Sequence, residues 1–296
     1  MQNKIDRPIF IIGVGRSGTT ILYNLLSIHP ELCWFSRYSD IFPRNNYIAL
    51  LHKSLELPYF GNLIKKSIIS RNQIKILPIP SEGGNIYHNY CGFEHKYKTT
   101  EFDYNLESEK KLKKVIQGHI KATGKKRFLS KQTANTQRIR LIHKMFPDGF
   151  YIHIIRDGRA VANSLVNVEW WKNIDIWWFN GRPSKWVETG NDPIALAGLI
   201  WERDVDEIIK NKNLFDNKYF ELRYEDLCDN PKKWIKNIAD FCEISWPTKL
   251  EDILPKKLVS MNDKWKKNLS EKQKMILLDT IKKSLKKYNY ETEDDI

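Results

Sequence analysis

Short apolar runs alternate along this chain with stretches whose apolar residues recur at helical spacing. Residues 9–12 and 150–155 are mostly apolar and β-branched, as expected for strands buried on both faces. Shorter strands are predicted at 32–35, at 127–130 and from residue 218. Helices are predicted between the strands, at 19–28, 106–122, 136–146, 231–241 and 270–288. This alternation favours an α/β fold of three layers, with a central parallel sheet and helices on both faces.

Two regions interrupt the alternation. Residues 41–70 have a helical pattern broken by two prolines, and residues 71–100 have the glycine and proline signals of a loop, with several aromatic residues between them. A loop this long within a compact domain is usually functional, and it is interpreted as a wall or lid of a binding site. The alternative is a surface insertion without a role. We expect a single domain over 1–296, with insertions around 36–105 and 167–192.

The first strand ends in a glycine turn that favours anion binding. The sequence Gly13-Val-Gly-Arg-Ser-Gly-Thr-Thr20 lies between this strand and the first helix. A tight turn there points backbone N–H groups and the positive end of the helix at one place. The spacing matches the phosphate loop of nucleotide triphosphatases, but Thr19 replaces the lysine that neutralises a γ-phosphate, and Arg16 provides an earlier cation. The alternative is an ordinary glycine turn of an α/β protein.

Three cations, Arg16, Lys131 and Arg156, fall just past predicted strands. Ligands of parallel sheets lie beyond the carboxyl ends of strands, so the three cations are expected at one edge. Arg156 also opens a second strand–turn–helix motif, in which Ser164 follows about two helical turns later. An arginine fork suits bidentate phosphate binding. Taken alone, Arg156 is equally consistent with a surface ion pair to Asp157, and Ser164 with an ordinary helix position.

Composition narrows the class of protein. The 296 residues carry 49 Lys+Arg against 36 Asp+Glu, a formal net charge of +13. This excess indicates either a polyanionic ligand or a lysine-rich solvated surface. No zinc-ligand spacing, RNA-recognition signature or basic heptad region supports nucleic acid as a partner.

The four cysteines are scattered without a CxxC pair, which indicates free thiols and no metal site. No apolar run approaches the roughly 20 residues that span a bilayer, and the first strand begins too early for a signal peptide. We therefore expect a cytoplasmic protein with no membrane partner.

Together the two motifs resemble those of the sulfotransferases, P-loop-type α/β enzymes that use 3′-phosphoadenosine 5′-phosphosulfate (PAPS). The form Arg16-Ser-Gly-Thr-Thr20 is similar to the tyrosylprotein-sulfotransferase-like and bacterial branch, as is the order of a strand, Lys131, a helix, a second strand and Arg156-Asp-Gly-Arg-Ala160. The resemblance implies transfer of the sulfuryl group from PAPS to an acceptor hydroxyl by in-line displacement. It also implies that adenosine 3′,5′-bisphosphate (PAP) is the product and that no metal is required.

The resemblance also implies roles for individual residues. Those implied to hold the cofactor are Gly15, Arg16, Ser17, Gly18, Thr19, Thr20, Arg156, Ser164, Tyr224 and Lys264. Arg156 and Ser164 would hold the 3′-phosphate, and Tyr224 would lie near the adenine, with core packing of Tyr224 as the alternative. Arg16 and Lys131 would carry the charge that develops on the bridging and sulfuryl oxygens. A proline that usually follows this lysine in the family is replaced in Lys131-Gln-Thr133.

The resemblance does not identify the general base. The tyrosylprotein branch has a glutamate at the position where this chain has Ser36. Asp40 and Glu82 are the leading candidates, and His88 and His119 are alternatives. Each of these residues, taken alone, is more often a solvated surface residue.

The sequence leaves the acceptor open among a sugar hydroxyl, a phenol, a tyrosyl peptide and a small-molecule or lipid-linked alcohol. Both insertions are expected on the acceptor side. The second contains a group of tryptophans, Trp170, Trp171, Trp177, Trp178 and Trp186. They are interpreted either as exposed acceptor-binding rings or as a second packing cluster, whereas Trp201 is expected in the core. The rival functions are a P-loop kinase-like ATP-dependent phosphotransferase, against which Thr19 argues, and a non-catalytic binder of a nucleotide or nucleic acid.

Overall fold

A computed structural model describes residues 5–70, 74, 76–93 and 99–290 of the chain. Its centre is a parallel sheet with the strand order β2-β3-β1-β4-β5. The strands are β1 (Ile9–Ile12), β2 (Leu32–Cys33), β3 (Arg127–Lys131), β4 (Phe150–Ile155) and β5 (Tyr219–Arg223). β1 has β3 on one side and β4 on the other, so the glycine turn after β1 lies at the middle of the carboxyl edge. This is the edge at which parallel sheets bind ligands.

Helices connect the strands. The α-helices are α1 (Thr19–Ser27), α2 (Arg37–Ile41), α3 (Phe60–Ser70), α4 (Gly84–Cys91), α5 (Leu106–Thr123), α6 (Ile139–Met145), α7 (Gly158–Val166), α8 (Pro183–Glu188), α9 (Pro193–Asn211), α10 (Tyr224–Asp229), α11 (Pro231–Phe241), α12 (Thr248–Ile253), α13 (Lys264–Asn268) and α14 (Glu271–Lys287). The 3-10 helices are Asn46–Glu56, Glu101–Asp103, Thr133–Arg138, Glu169–Asn173 and Lys212–Lys218. Among the described residues, no helix is both long and apolar enough to cross a bilayer.

The two faces of β1 pack into different cores, which confirms the prediction of a sheet covered on both sides. Ile9 and Ile11 lie in a core with residues of α1 and α11. Phe10 and Ile12 point the other way, into a core with residues of α5 and α6. Alternation of side chains along a strand requires this division. The cysteines are free, as predicted.

The prediction of a continuous loop over residues 71–100 is wrong for residues 84–91, which form α4. The glycines that suggested a loop, Gly83 and Gly84, instead begin this helix, and Gly83 and Gly92 cap its two ends in left-handed backbone conformations. Ile86 and Tyr87 bury the inner side of α4. Of the predicted loop, residues 71–73, 75 and 94–98 lie outside the described residues.

The 3-10 helix Asn46–Glu56 buries one stripe of side chains at a spacing of three residues. Ala49, His52 and Leu55 form this stripe, as expected for a helix with three residues per turn. The ring of His52 contacts that of Trp34, with ring centroids 3.8 Å apart and the ring planes 47° apart. Burial, together with the nearby His119 and Lys125, lowers the pKa of His52 from 6.5 to about 3. His52 is therefore neutral in the folded chain at neutral pH.

We expect the free energy of unfolding to fall as the pH drops from about 6.5 toward 3, because the unfolded chain binds a proton at His52 that the folded chain excludes. The contribution is about 1.4 kcal/mol for each pH unit. His52→Gln should reduce this slope by about one proton, measured by urea unfolding at several pH values. His88→Gln, a matched change at an exposed histidine, should keep the full slope. Equal slopes in the two variants would show that His52 does not titrate in this way.

Candidate functional site

The glycine turn after β1 is held from several directions. Ser17 N donates to Val14 O at 3.1 Å and closes the turn. Gly18 has a φ of 93°, and a Cβ there would lie 2.5 Å from Cδ2 of Tyr224. Arg16, a non-glycine residue, has a φ of 73°, a conformation that costs about 1 kcal/mol. The turn is therefore a fixed, strained structure of the kind that recurs at ligand sites.

The turn presents donors that suit an anion. Among the described residues, the buried Ser17 hydroxyl has no hydrogen-bond partner. No side chain caps the N-terminus of α1, where Thr19 and Thr20 begin the helix. A Cβ on Gly15 would meet nothing within 4 Å, so the backbone there is open to close approach. These features fit the phosphosulfate end of PAPS.

A cavity of about 590 Å³ opens beside this turn, a size typical of ligand sites. Most of the residues predicted to hold the cofactor line it together, namely Arg16, Gly18, Thr19, Thr20, Arg156, Ser164, Tyr224 and Lys264. Gly15 and Ser17 belong to the adjoining turn. The fold thus brings both sequence motifs and the C-terminal lysine to one place.

Arg156 is a buried cation whose hydrogen bonds go to neutral groups. Its side chain leaves the end of β4 with the residue only 6% exposed. Nε donates to Asn262 Oδ1 at 2.8 Å, and Nη1 donates to the backbone carbonyl of Arg16 at 2.9 Å. Its guanidinium carbon lies 4.3 Å from the ring centroid of Tyr224. Burial lowers the pKa of Arg156 from its ordinary value. Because a desolvated cation favours an opposite charge nearby, this position suits a phosphate.

Two residues that sequence reasoning missed support Arg156. Asn262 accepts from Arg156 and donates to Glu225. Glu225 also accepts from Asp157 N at 3.2 Å and from Tyr290 Oη at 3.1 Å. Glu225 is next to Tyr224 in sequence and Asn262 is two residues before Lys264, but nothing in either segment indicates that they meet. The bonds join the C-terminal segment to the end of β4.

The structure places the Arg16 side chain at Ser164. Its Nε donates to Ser164 Oγ at 2.9 Å. Lys131, which was expected to act at the same oxygens as Arg16, forms an ion pair with Glu82. Arg16 lines the cavity, whereas Lys131 lies at the end of β3 beside Glu82.

Glu82 is held over the end of β3. The Lys131 ammonium donates to Glu82 Oε1, and Oε2 accepts from Thr133 N at 3.3 Å. The Lys131 side chain is 4% exposed, whereas that of Glu82 is 43% exposed. Ser81 N donates to the carbonyl of Phe35 at 2.8 Å, which fixes this part of the chain against the sheet. A carboxylate that solvent can reach therefore lies directly on the buried lysine.

The other candidate bases lie elsewhere. Asp40 accepts from Ser81 Oγ at 3.0 Å and from Asn85 N at 2.8 Å, so it holds the start of α4 and the residue before Glu82. His88 is exposed on α4. His119 is 1% exposed, and its ring nitrogens bond to Val115 O and Ser39 Oγ. Ser36 is the N-cap of α2 and accepts from Ser39 N. Only Glu82 is in contact with Lys131 among these residues.

Aromatic residues near the site are mostly packed. Tyr224 is 2% exposed and packs in a hydrophobic core, and it also lines the cavity. Trp201, expected in the core, is fully buried. In the second insertion, Trp171 is buried, and Trp178 and Trp186 pack against the same cluster. Trp170, at 48%, is the exposed exception among the large apolar side chains of this group.

Comparison with known proteins identifies the family of this chain. A sequence profile of the sulfotransferase family matches residues 8–248. The omega-hydroxy-beta-dihydromenaquinone-9 sulfotransferase Stf3 of Mycobacterium tuberculosis (strain CDC 1551 / Oshkosh) is 22% identical over 250 residues, which cover 79% of this chain and 62% of that protein. Protein-tyrosine sulfotransferase A of Caenorhabditis elegans is 22% identical over 248 residues, which cover 84% of this chain and 53% of that protein. The chain thus spans less than two thirds of the length of either relative.

A solved structure agrees at the level of the fold. The crystal structure of sulfotransferase STF9 from Mycobacterium avium superposes with a TM-score of 0.62 at 16% identity, covering 98% of this chain and 79% of that one.

Proposed function

Because the chain belongs to the sulfotransferase family, we propose that it moves the sulfuryl group of PAPS to an acceptor hydroxyl. The observation that carries the proposal is the single cavity in which the glycine turn after β1 meets Arg156, Ser164 and Lys264. A turn of N–H donors and a buried arginine at one cavity suit a ligand that carries two separate anionic groups.

Different residues of the cavity would hold the two ends of PAPS. The turn, with Ser17, Thr19 and Thr20, would hold the 5′-phosphosulfate. Arg156 and Ser164 would hold the 3′-phosphate and so distinguish PAPS from ATP. In this arrangement the Arg16 side chain either stays with Ser164 at the 3′-phosphate or turns toward the 5′ end when the donor binds. Lys264 would lie over the cavity from the C-terminal side.

Lys131 and Glu82 would act on the acceptor side. PAPS supplies a sulfuryl group whose S–O bond to the 5′-phosphate breaks, with its electron pair, as the acceptor oxygen bonds to sulfur. Lys131, at the end of β3, would stabilise negative charge that develops on the oxygens during this exchange. Glu82 would accept the acceptor's hydroxyl proton, since its carboxylate is accessible and lies on Lys131. Asp40 would position Glu82 through Ser81 and the start of α4.

The acceptor is proposed by its chemical class. The curated relatives are named for a menaquinone derivative and for protein tyrosine, and we propose an alcohol or phenol of either small-molecule, carbohydrate or peptide origin for this chain. We also propose one catalytic domain over 1–296, with residues 36–105 and 167–192 on the acceptor side, and a cytoplasmic location.

Radiolabelled sulfuryl transfer tests the proposal. Incubation of the chain with ³⁵S-PAPS and a panel containing a phenol, a tyrosyl peptide, an amino sugar and a long-chain alcohol should label one acceptor class. Glu82→Gln should lower that rate strongly, whereas Asp40→Asn should lower it less. A kinase-like activity would instead label acceptors from γ-³²P-ATP with magnesium, which would overturn the assignment.

A further inference from the structure

The hairpin formed by the 3-10 helix Asn46–Glu56 and α3 exposes apolar side chains along its outer side. In the 3-10 helix, Tyr47, Leu50 and Lys53 follow one another at a spacing of three residues, so they form a second stripe beside the buried one. Tyr47 is 81% exposed and Leu50 is 44% exposed. Lys53 is exposed at the end of this stripe.

The start of α3 shows the same order of side chains. α3 buries Gly61, Ile64 and Ile68, whereas Leu63 and Lys66 are exposed three residues apart on the same helix. Tyr59 is exposed immediately before the helix begins. Tyr59 is 89% exposed and Leu63 is 63% exposed. We define the outer face as Tyr47, Leu50, Lys53, Tyr59, Leu63 and Lys66.

The backbone conformation at the exposed Tyr59 is unfavourable. Tyr59 has a φ of 58°, a left-handed conformation that is unfavourable for a bulky residue. Its ring makes little internal contact in return, since nearly all of its surface is exposed. Strain that internal packing does not explain is typical of a functional surface.

The segment of the chain that carries the outer face is positively charged. Residues 37–70 contain five cations, Arg37, Arg44, Lys53, Lys65 and Lys66. They contain two carboxylates, and both are engaged. Asp40 accepts from Ser81 and Asn85, and Glu56 pairs with Lys125. An apolar surface bordered by cations complements an anionic, partly apolar partner.

We propose that the outer face docks on the surface of an anionic lipid bilayer. Leucine side chains would enter the headgroup–acyl boundary, tyrosine rings would lie at the polar boundary, and the two lysines would extend to lipid phosphates. A second copy of the chain fits less well, because a twofold contact through this face brings like-charged lysine stripes together. The sequence has no apolar run long enough to span a bilayer, and we expected no membrane partner from it. The exposed side chains that indicate surface docking become visible only in the fold.

The outer face is linked to the cavity through α1. Asn24 on α1 lines the cavity, and its Nδ2 donates to the carbonyl of Ile68 on α3 at 2.8 Å. The helix that carries half of the outer face is thus bonded directly to a residue of the cavity. The docking proposal itself does not depend on the transfer reaction.

Vesicle cosedimentation tests the proposal. The full chain should sediment with vesicles of phosphatidylcholine mixed with phosphatidylglycerol, bind phosphatidylcholine alone more weakly, and dissociate as salt is raised. Leu50→Ser with Leu63→Ser should lower the partition coefficient about 10- to 100-fold. Lys53→Gln and Lys66→Gln should each lower it about fivefold and reduce the salt dependence.

Two controls separate loss of vesicle binding through the outer face from other effects of the substitutions. Phe102→Ser removes a side chain that is 91% exposed outside the outer face and should leave vesicle binding unchanged. Thermal melting of each variant establishes that it is folded. Failure of the unsubstituted chain to sediment would overturn the proposal, as would equal binding by the Leu50/Leu63 and Phe102 variants. A dimer in analytical ultracentrifugation that the Leu50/Leu63 change disperses, without vesicle binding, would assign the face to a second copy instead.

Discussion

Lys131→Ala should lower kcat about 100- to 1000-fold while PAP affinity stays within a few-fold of the unsubstituted chain. A buried cation aimed at developing charge contributes to the transition state more than to donor binding. Lys131 is 4% exposed at the end of β3 and is not among the residues lining the donor cavity. The measurement is steady-state transfer from PAPS to whichever acceptor is labelled, beside calorimetric titration with PAP.

Lys125→Ala is the matched control for this change. Lys125 is also a buried lysine paired with an accessible glutamate, with side-chain exposures of 8% for Lys125 and 54% for Glu56. It precedes β3 and so lies at the amino edge of the sheet, away from the turn. Its replacement should alter stability without a comparable loss of kcat. A Lys131 variant with an unchanged kcat, or one that loses PAP affinity as severely as kcat, would contradict the assigned role.

Arg156→Gln should lower the affinity for PAP about 100- to 1000-fold, since charge-assisted hydrogen bonds to a phosphate are lost in a desolvated site. The affinity for 5′-AMP, which has no 3′-phosphate, should change little. The preference of the chain for PAP over 5′-AMP should therefore largely disappear. Calorimetric titration of both nucleotides measures this preference directly.

Arg140→Gln controls for the loss of one positive charge from a chain of net charge +13. The Arg140 side chain is 42% exposed and pairs with Glu101, so its removal should leave both affinities nearly unchanged. Equal losses of PAP and 5′-AMP affinity in the Arg156 variant would show that Arg156 supports the turn through the Arg16 carbonyl rather than reading the 3′-phosphate.

The parts of the site that follow strands were predictable. The apolar composition of residues 9–12 and 150–155 predicts buried strands, and the carboxyl ends of strands in a parallel sheet lie at one edge. The turn after β1 and the segment from Arg156 to Ser164 therefore meet in the structure as expected. Lys264 reaches the same cavity, but that expectation came from the family resemblance and not from any local pattern.

The contacts between loops were not predictable, because the sequence around a polar loop residue does not indicate which residue it contacts in the fold. Nothing near Glu82 indicates that it lies on Lys131, and nothing near Asn262 indicates that it bonds Arg156. The helix α4 was missed because its terminal glycines resemble loop residues. Tyr224 shows the same limit for apolar residues, since its place beneath Gly18 and Arg156 depends on the whole fold.

The most direct test of PAPS-dependent transfer is a calorimetric titration of the chain with PAP, in parallel with ATP and magnesium. We expect tight binding of PAP that does not change when a chelator removes divalent metal, and weak binding of ATP. A preference for ATP with magnesium would contradict the proposed function, because it would mean that the turn after β1 binds a triphosphate despite Thr19.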